Sequence, residues 1–508
     1  MSKRSVLYFL GTSLFVLVFI EFSFVIMSWH DPLLKTNTKY PNVLQKQDLS
    51  GTLFSSSKNS KQRSHDTLPE QYQTKFEGLD FEDLLAKIKI AVGRNLQVRI
   101  IRDKQTKTQL VTLDCTTLNF PTMIASSQAK VENLAKKYVY VHHQYTDQLS
   151  KNTRAFLSLC AQVGTTGRKV VRPLVKKTKL GSDETWLPLE TYYDEKHLDN
   201  LLAAAGYASL VDKAEYFREC PPNSPNHVSV HFIDNSKQSM DFAKATFKLQ
   251  EDFYKSIVKN ASQKGWTECT FLDQAMKRTP GKQFCVNGDI IKDWKTFEKD
   301  IAKLEKCLNI FLWRGIDGVT YRLKFSEDYM KFSSIDLTYA LKPGLPVINE
   351  VERFSNKYLP ENYIAVYVRS EFLLRKFSLD HVRKCVDLVL EVVIALKSIT
   401  GLSHAYVATD MGDYGSAWLV GYRSREHLDE NVFKDIHDHI IEKSKGAAYT
   451  PPSDTLDRGT IALVDMTLIS RAQYLISAGT GTFQQWIGAR FLQNHRNDKQ
   501  PWSKITVC

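Results

Sequence analysis

The chain has 508 residues, a formal net charge of +12, and 43% hydrophobic and 24% charged residues. These fractions are ordinary for globular proteins and exclude a wholly disordered or fibrous chain; the length leaves room for roughly two to three domains. A basic balance is compatible with nucleic acid, a membrane surface or an anionic ligand such as a sugar nucleotide. The sequence has no zinc-finger spacing, RNP-like motif or long Lys/Arg block, which argues against nucleic acid.

In chain order, residues 5–29 are apolar apart from Glu21 and a few Ser, Thr and Gly, long enough for one membrane-spanning helix. Lys3 and Arg4 precede the run, which places the tail 1–4 in the cytosol. A cleaved signal peptide is the alternative, but the first alanine is Ala86, so an A-x-A cleavage site is absent and an uncleaved signal anchor is the expectation. Residues 30–75 are polar and rich in breakers (Pro32, Pro41, Gly51, Ser55, Ser56, Ser57), the composition of a flexible stem.

Folded sequence begins near Leu79, with a helix around Phe81–Ala91 and a hairpin at 96–101 and 109–113. A strand is expected at 138–141, a helix at 155–163, and a buried strand at 169–175 interrupted by Pro173. Asp194 is placed to N-cap a helix at 196–205, with a general-base role as its alternative. A strand at 228–233, helices at 242–258 and 294–308, and a strand at 309–315 follow, and Pro343, Gly344 and Pro346 mark a hinge. The expectation is an α/β domain over 79–345 and a second α/β domain over 346–496.

The second half alternates more regularly. Tyr363–Val368 is a β-rich run that delivers Arg369, and Ala405–Ala408 is another that delivers Thr409 and Asp410. Between them Val382, Val386, Val389, Val393 and Leu396 make one apolar helix stripe. A helix ending at Arg471 and carrying Asp465 leads to a short strand at 474–476, then to the turn Ser477–Thr482, with Thr482 as expected N-cap of a last helix carrying Phe483, Trp486, Ile487 and Phe491. Alternating strands and helices imply a parallel sheet, and such sheets bind ligands outside their carboxyl ends. Arg369, Asp410 and the turn Thr480-Gly481-Thr482 all fall at those ends: a cation, a carboxylate, and free N–H groups at a helix N-terminus suited to phosphate. The turn lacks the GxxxxGK[ST] pattern and is not a P-loop.

All 8 cysteines follow the apolar run, consistent with disulfides in an oxidising compartment, Cys269 with Cys285 being the favoured pair. Asn260-Ala261-Ser262 is a glycosylation sequon. Metal signals are poor: no CxxC occurs, His437 and His439 read as a solvated helix surface, and no cofactor or metal is expected.

Three segments carry a family resemblance: YVATD at Tyr406–Asp410, VDMTLISRAQYLI at Val464–Ile476, and GTF at Gly481–Phe483. They resemble the C-terminal half of the GDP-fucose protein O-fucosyltransferases and α1,6-fucosyltransferases, over roughly residues 360–492, as a divergent member. The resemblance implies a GT-B-type fold of two Rossmann-like domains, with acceptor side first and nucleotide-sugar side second. It also implies inverting transfer of fucose from GDP-fucose to a protein or glycan hydroxyl. Arg369 then holds the donor diphosphate; Asp410, Asp465, Thr480, Gly481, Thr482 and Phe483 belong to the nucleotide-sugar site. In the first half, Arg168 and Pro173 fit the family's first βαβ unit, and Asn152 stands where the family's small-loop asparagine is replaced. Tyr367 stands in place of the family histidine, Ser370 follows the arginine, Leu373 replaces an aspartate, and Gly481-Thr482 replaces Ser-Ser. Anchor, stem and large C-terminal part match the layout of type II Golgi and endoplasmic reticulum glycosyltransferases, and of many other type II proteins. A catalytically silent lumenal binding protein and a transferase using another sugar nucleotide stay open as alternatives. The acceptor and the general base are unassigned.

Overall fold

Two mostly parallel sheets organise the chain in a computed structural model, which describes residues 74–508 except several stretches, the longest being 77–84, 115–136, 270–280, 313–333 and 410–429. Residues 1–73, with the expected anchor and most of the stem, lie outside the described residues. Among the described residues no helix is long and apolar enough to cross a membrane.

The chain begins with β1 (Thr74–Phe76), β2 (Gln97–Arg102) and β3 (Gln109–Asp114). Next come β4 (Lys137–His142), α1 (Leu149–Gly164) and β5 (Arg168–Val171). A hairpin, β6 (Leu174–Lys176) with β7 (Lys179–Gly181), precedes α2 (Glu195–Ala205), β8 (Leu210–Val211) and α3 (Lys213–Glu219). Pro173 is what splits the single strand expected at 169–175 into β5 and β6. Asp194 N-caps α2, its carboxylate accepting from the His197 N–H at 2.9 Å, so the capping role is observed. β9 (His227–Ile233) leads to α4 (Lys237–Phe247) and α5 (Glu251–Lys264). These two replace the one helix expected at 242–258, because Lys248 turns into the left-handed region at φ +57° and ends α4. β10 (Trp266–Glu268), β11 (Lys282–Asn287) and β12 (Cys307–Leu312) complete this half. The helix expected over 294–308 is limited to Trp294–Phe297 and a π-helical turn at Glu298–Ala302.

The second half runs through α6 (Ser334–Ala340), α7 (Leu345–Tyr358), β13 (Ile364–Val368), α8 (Ser370–Lys376) and α9 (Leu379–Thr400). It continues with β14 (Ala405–Thr409), α10 (Glu430–Ser444), β15 (Gly446–Ala447), α11 (Arg458–Arg471), β16 (Tyr474–Ala478), α12 (Thr482–Asn494) and β17 (Ser503–Val507).

The seven-stranded sheet has the order β10-β11-β9-β12-β4-β5-β8, parallel except for β10; the eight-stranded sheet has the order β1-β3-β2-β17-β16-β13-β14-β15. The expected hairpin is β2–β3, and β2 pairs parallel with β17, so the first and last described strands share one sheet. Strand β13 shows why the centre is parallel: all five residues are buried, and its side chains alternate between two cores. Ile364, Val366 and Val368 pack with Val382, Val386, Val389 and Val393 of α9, whereas Ala365 and Tyr367 join Leu463, Val464 and Trp486 of α11 and α12. The second of these cores continues without a break into the seven-stranded sheet through Tyr192, Tyr193 and Val347. At the expected hinge, Gly344 N-caps α7, and a Cβ there would lie 2.1 Å from the Glu190 carbonyl oxygen. The joint is therefore packed backbone to backbone, which only glycine allows.

Disulfides join Cys269 with Cys285, as expected, and also Cys220 with Cys307 and Cys385 with Cys508; Cys160 is a buried free thiol. Asn260 is exposed near the end of α5. In the seven-stranded half Arg168 and Glu298 form a buried pair, with Nε donating to both carboxylate oxygens at 2.9 and 2.8 Å. Removing one partner of such a pair leaves an uncompensated buried charge. Glu298→Ala is expected to cost about 3–5 kcal/mol in urea denaturation, and Arg168→Met in that background to restore part of the loss.

Candidate functional site

Strands β14, β13 and β16 end level with one another: Val368 is in register with Thr409 on one side and Ala478 on the other. The next residue of β13 is Arg369, which opens α8; its N–H donates to the Ala478 carbonyl at 3.0 Å. Its side chain turns across the β16–α12 connection, where Nη1 donates to the Thr480 carbonyl at 2.6 Å.

That path exists because of two glycines. A Cβ on Gly479 would sit 2.9 Å from Arg369 Cβ, and one on Gly481 would sit 1.3 Å from Arg369 Nη1. Both also take positive φ, +93° and +146°, where a side chain is strained. Gly481, not Thr482, is the N-cap of α12, and it supplies no side-chain cap. The first-turn N–H groups of α12 thus lie beside the Arg369 guanidinium with no capping hydroxyl or carboxylate at the cap position, and the helix dipole adds partial positive charge.

Thr482 is instead the first helical residue, exposed, and its hydroxyl shares a 2.9 Å hydrogen bond with Ser150. Ser150 lies in the first turn of α1, the helix after β4. The N-terminal turns of α1 and α12 therefore meet. Asn152, singled out in the sequence, is fully buried within α1, so its neighbour Ser150 makes the contact at the edge. Phe483 is half-buried and stands edge-on to Tyr367 at 6.3 Å and to Trp486 at 6.3 Å. Tyr367, in the position expected for a histidine, is buried on the α12 side of β13, and Leu373, in the position expected for an aspartate, is wholly buried in the α9 core.

Asp465 does not reach this edge. It is buried on α11, and its Oδ1 accepts from the Tyr406 hydroxyl at 2.5 Å. Tyr406 lies three residues before the end of β14, about 10 Å back along the strand. Burial pushes the Asp465 carboxyl up to about 7, against the opposing hydrogen bond from Tyr406. Asp410 lies outside the described residues. His437, read from sequence as a solvated surface, bonds to the Thr409 hydroxyl at 2.9 Å through Nδ1, next to the same edge. Sequence reasoning missed His437 and Ser150. An approach of α10 to β14 and of α1 to α12 is long-range geometry, and no local signal encodes it. Among the described residues no group of three or more His, Cys, Asp or Glu is placed to hold a metal ion.

No protein-family model matches the sequence, and no curated protein matches it at the sequence level. Among solved structures the chain is similar to POFUT1 in complex with GDP-fucose, at 12% identity over 73% of this chain and 98% of that one, with a TM-score of 0.42. It is similar to POFUT1 in complex with GDP at 13% identity, over 73% and 99%, with a TM-score of 0.42. The fucosyltransferase NodZ from Bradyrhizobium matches at 10% identity, over 70% and 93%, with a TM-score of 0.32.

The Asp465 carboxyl gives a signed expectation. Its proton affinity is higher folded than unfolded, where a carboxyl titrates near 3.9, so the folded state retains a proton that the unfolded state loses between about pH 4 and 7. Stability from this group falls as pH rises through that window. Asp465→Asn removes the fall, so urea denaturation should show the variant gaining on the wild type from pH 4.5 to 8, with a ceiling of about 4 kcal/mol at 1.36 kcal/mol per pH unit. A pH-independent difference would show that Asp465 titrates normally.

Proposed function

We propose that this chain is a GT-B-type glycosyltransferase that binds a GDP-sugar, with GDP-fucose as donor, at the carboxyl edge of β13, β14 and β16. The observation that carries the reading is the Arg369 guanidinium laid over the Thr480-Gly481-Thr482 turn, beside the open N-terminus of α12. A diphosphate leaving group needs positive charge where its own charge develops, and a forked guanidinium with oriented N–H groups supplies it. The acceptor hydroxyl attacks the anomeric carbon with inversion and the C–O bond to the diphosphate breaks. The electron pair leaves on the β-phosphate oxygen, toward Arg369 and α12. The hydroxyl proton passes to a general base. Phe483, packed on Tyr367, fixes the first turn of α12 that carries the N–H groups.

The donor identity rests on the sequence resemblance at Tyr406–Asp410, Val464–Ile476 and Gly481–Phe483. We place Asp410 at the guanine or ribose on the same ground; Asp465 supports β14 through Tyr406 from within the core. The acceptor is a glycoprotein or glycan hydroxyl. A lumenal, single-pass type II location in the Golgi or endoplasmic reticulum is supported by three disulfides and by the exposed Asn260, a glycosylation site in this reading. Tyr367 and the wholly buried Leu373 favour a second reading, a binding protein that keeps the donor site without transfer.

Arg369→Lys decides between these and a purely structural role for the arginine. Lysine keeps the charge and loses the fork. The expected outcome is a melting temperature near that of the wild type, a smaller stabilisation by GDP, and transfer from GDP-fucose reduced by about 10²–10³. Transfer should persist in EDTA, since Arg369 and α12 supply the positive charge in this scheme. A fully active Arg369→Lys variant would refute the mechanism, and GDP-induced stabilisation without transfer would establish the binding protein.

A further inference from the structure

The last strand places a lysine beneath α12. In β17, Ile505 and Val507 point into the α9 core, so Lys504 and Thr506 point the other way, toward α12. On this face the Thr506 hydroxyl meets that of Ser477 of β16 at 3.5 Å. Lys504 pairs with Leu475, three residues before the end of β16, and its tip ends against α12 at Gly488. A Cβ on Gly488 would lie 2.9 Å from Lys504 Cε and 3.1 Å from Nζ. A glycine inside a helix is unfavourable relative to alanine, and here its missing side chain is the space that the lysine tip takes.

A lysine on a sheet face ordinarily runs its stem over apolar surface and its ammonium out to water or a carboxylate. Here the half-buried side chain stops at the helix backbone instead. Among the described residues no hydrogen bond or ion pair reaches its Nζ. Burial pushes the ammonium below the usual lysine range, and no neighbouring charge opposes the shift. One turn nearer the N-terminus, on the same face of α12, Gln484 is 9% exposed, and its Oε1 is buried without a hydrogen-bond partner. An unpaired cation and an unpaired amide oxygen thus stand in one column under the first turn of α12. Each is costly to the fold, and such costs collect at functional sites.

We propose that Lys504 sets the preference of the donor site for a diphosphate over less charged nucleotides, its uncompensated charge acting through α12 on the anion at the helix N-terminus. The inference rests on the donor-site reading of Arg369 and α12. Thr482 precedes Gly488 by six residues, about 9 Å along the helix axis. A phosphate seated one hydrogen bond beyond the first turn is then about 12 Å from Nζ. At an effective dielectric of about 20, two unit charges at that distance attract by about a factor of ten in affinity. An ion pair within the chain would cancel this field, so the lysine acts on the ligand only because it is left unpaired. Each added phosphate charge enlarges the effect.

Isothermal titration calorimetry on the full chain tests this, with GDP and GMP against the wild type, Lys504→Met and Lys504→Gln, beside thermal melts without nucleotide. GDP affinity should fall about tenfold in both variants and GMP affinity by less. Both variants should melt at or above the wild-type temperature, because a desolvated, unpaired charge has been removed. A purely structural lysine predicts the opposite pattern, early melting with equal losses for the two nucleotides. Unchanged GDP affinity in the variants, equal losses for GDP and GMP, or a lower melting temperature in both variants overturns the inference and leaves the donor site standing. Failure of the wild type to bind GDP overturns the donor-site reading, and this inference with it.

Discussion

The site depends on one close approach: the Arg369 side chain crossing Gly479 and Gly481. Both glycines take positive φ, and a Cβ on Gly481 would occupy the space of the guanidinium nitrogen itself. Everything else at the edge follows from that contact. The arginine can lie on the turn only because the turn has no side chains there, and α12 can present its first N–H groups only because its cap is a glycine. The register of β13 with β14 and β16 then fixes where this charge sits relative to the neighbouring strand ends.

The two sheets contribute different electrostatics to a common scaffold. The eight-stranded sheet gathers cationic and N–H character at the end of β13 and at α12. The seven-stranded sheet gathers carboxylates beyond β5 and β8. Between them runs a shared core in which Tyr193 bonds to Thr153 of α1 at 2.6 Å and packs against Trp486 of α12 at 6.4 Å. That contact ties the helix after β4 to the helix after β16, and the Ser150–Thr482 hydrogen bond lies at the end of the same seam. A second tie is Asp457, the N-cap of α11, which also accepts from the Tyr192 hydroxyl and from the Lys177 N–H.

Much of this was legible in the sequence because local periodicity encodes it. The β13, α9, β14 and β16 elements announced themselves through period-two and period-3.6 patterns, and strand-end logic then put Arg369 beside the Thr480–Thr482 turn. The failures are equally physical. Asp465 lies on α11, a helix buried on nearly every side from Gly459 to Ser470, so no polar face distinguished a solvent-facing carboxylate from a core one. Thr482 looked like a cap because threonine usually is one, but the need for space beside Arg369 gave that place to Gly481. The break of α4 at Lys248 depends on one left-handed residue that is not glycine, and the Arg168–Glu298 pair joins residues 130 apart. Neither leaves a short-range pattern.

The central claim is that Arg369 and the α12 N-terminus hold a diphosphate. A crystal structure with GDP tests it most directly. The account predicts both phosphates at the carboxyl edge of β13 and β16, with oxygens within about 3 Å of the Arg369 guanidinium and of first-turn N–H groups of α12. A nucleotide seated elsewhere, with Arg369 still turned onto the Thr480 carbonyl, would contradict it.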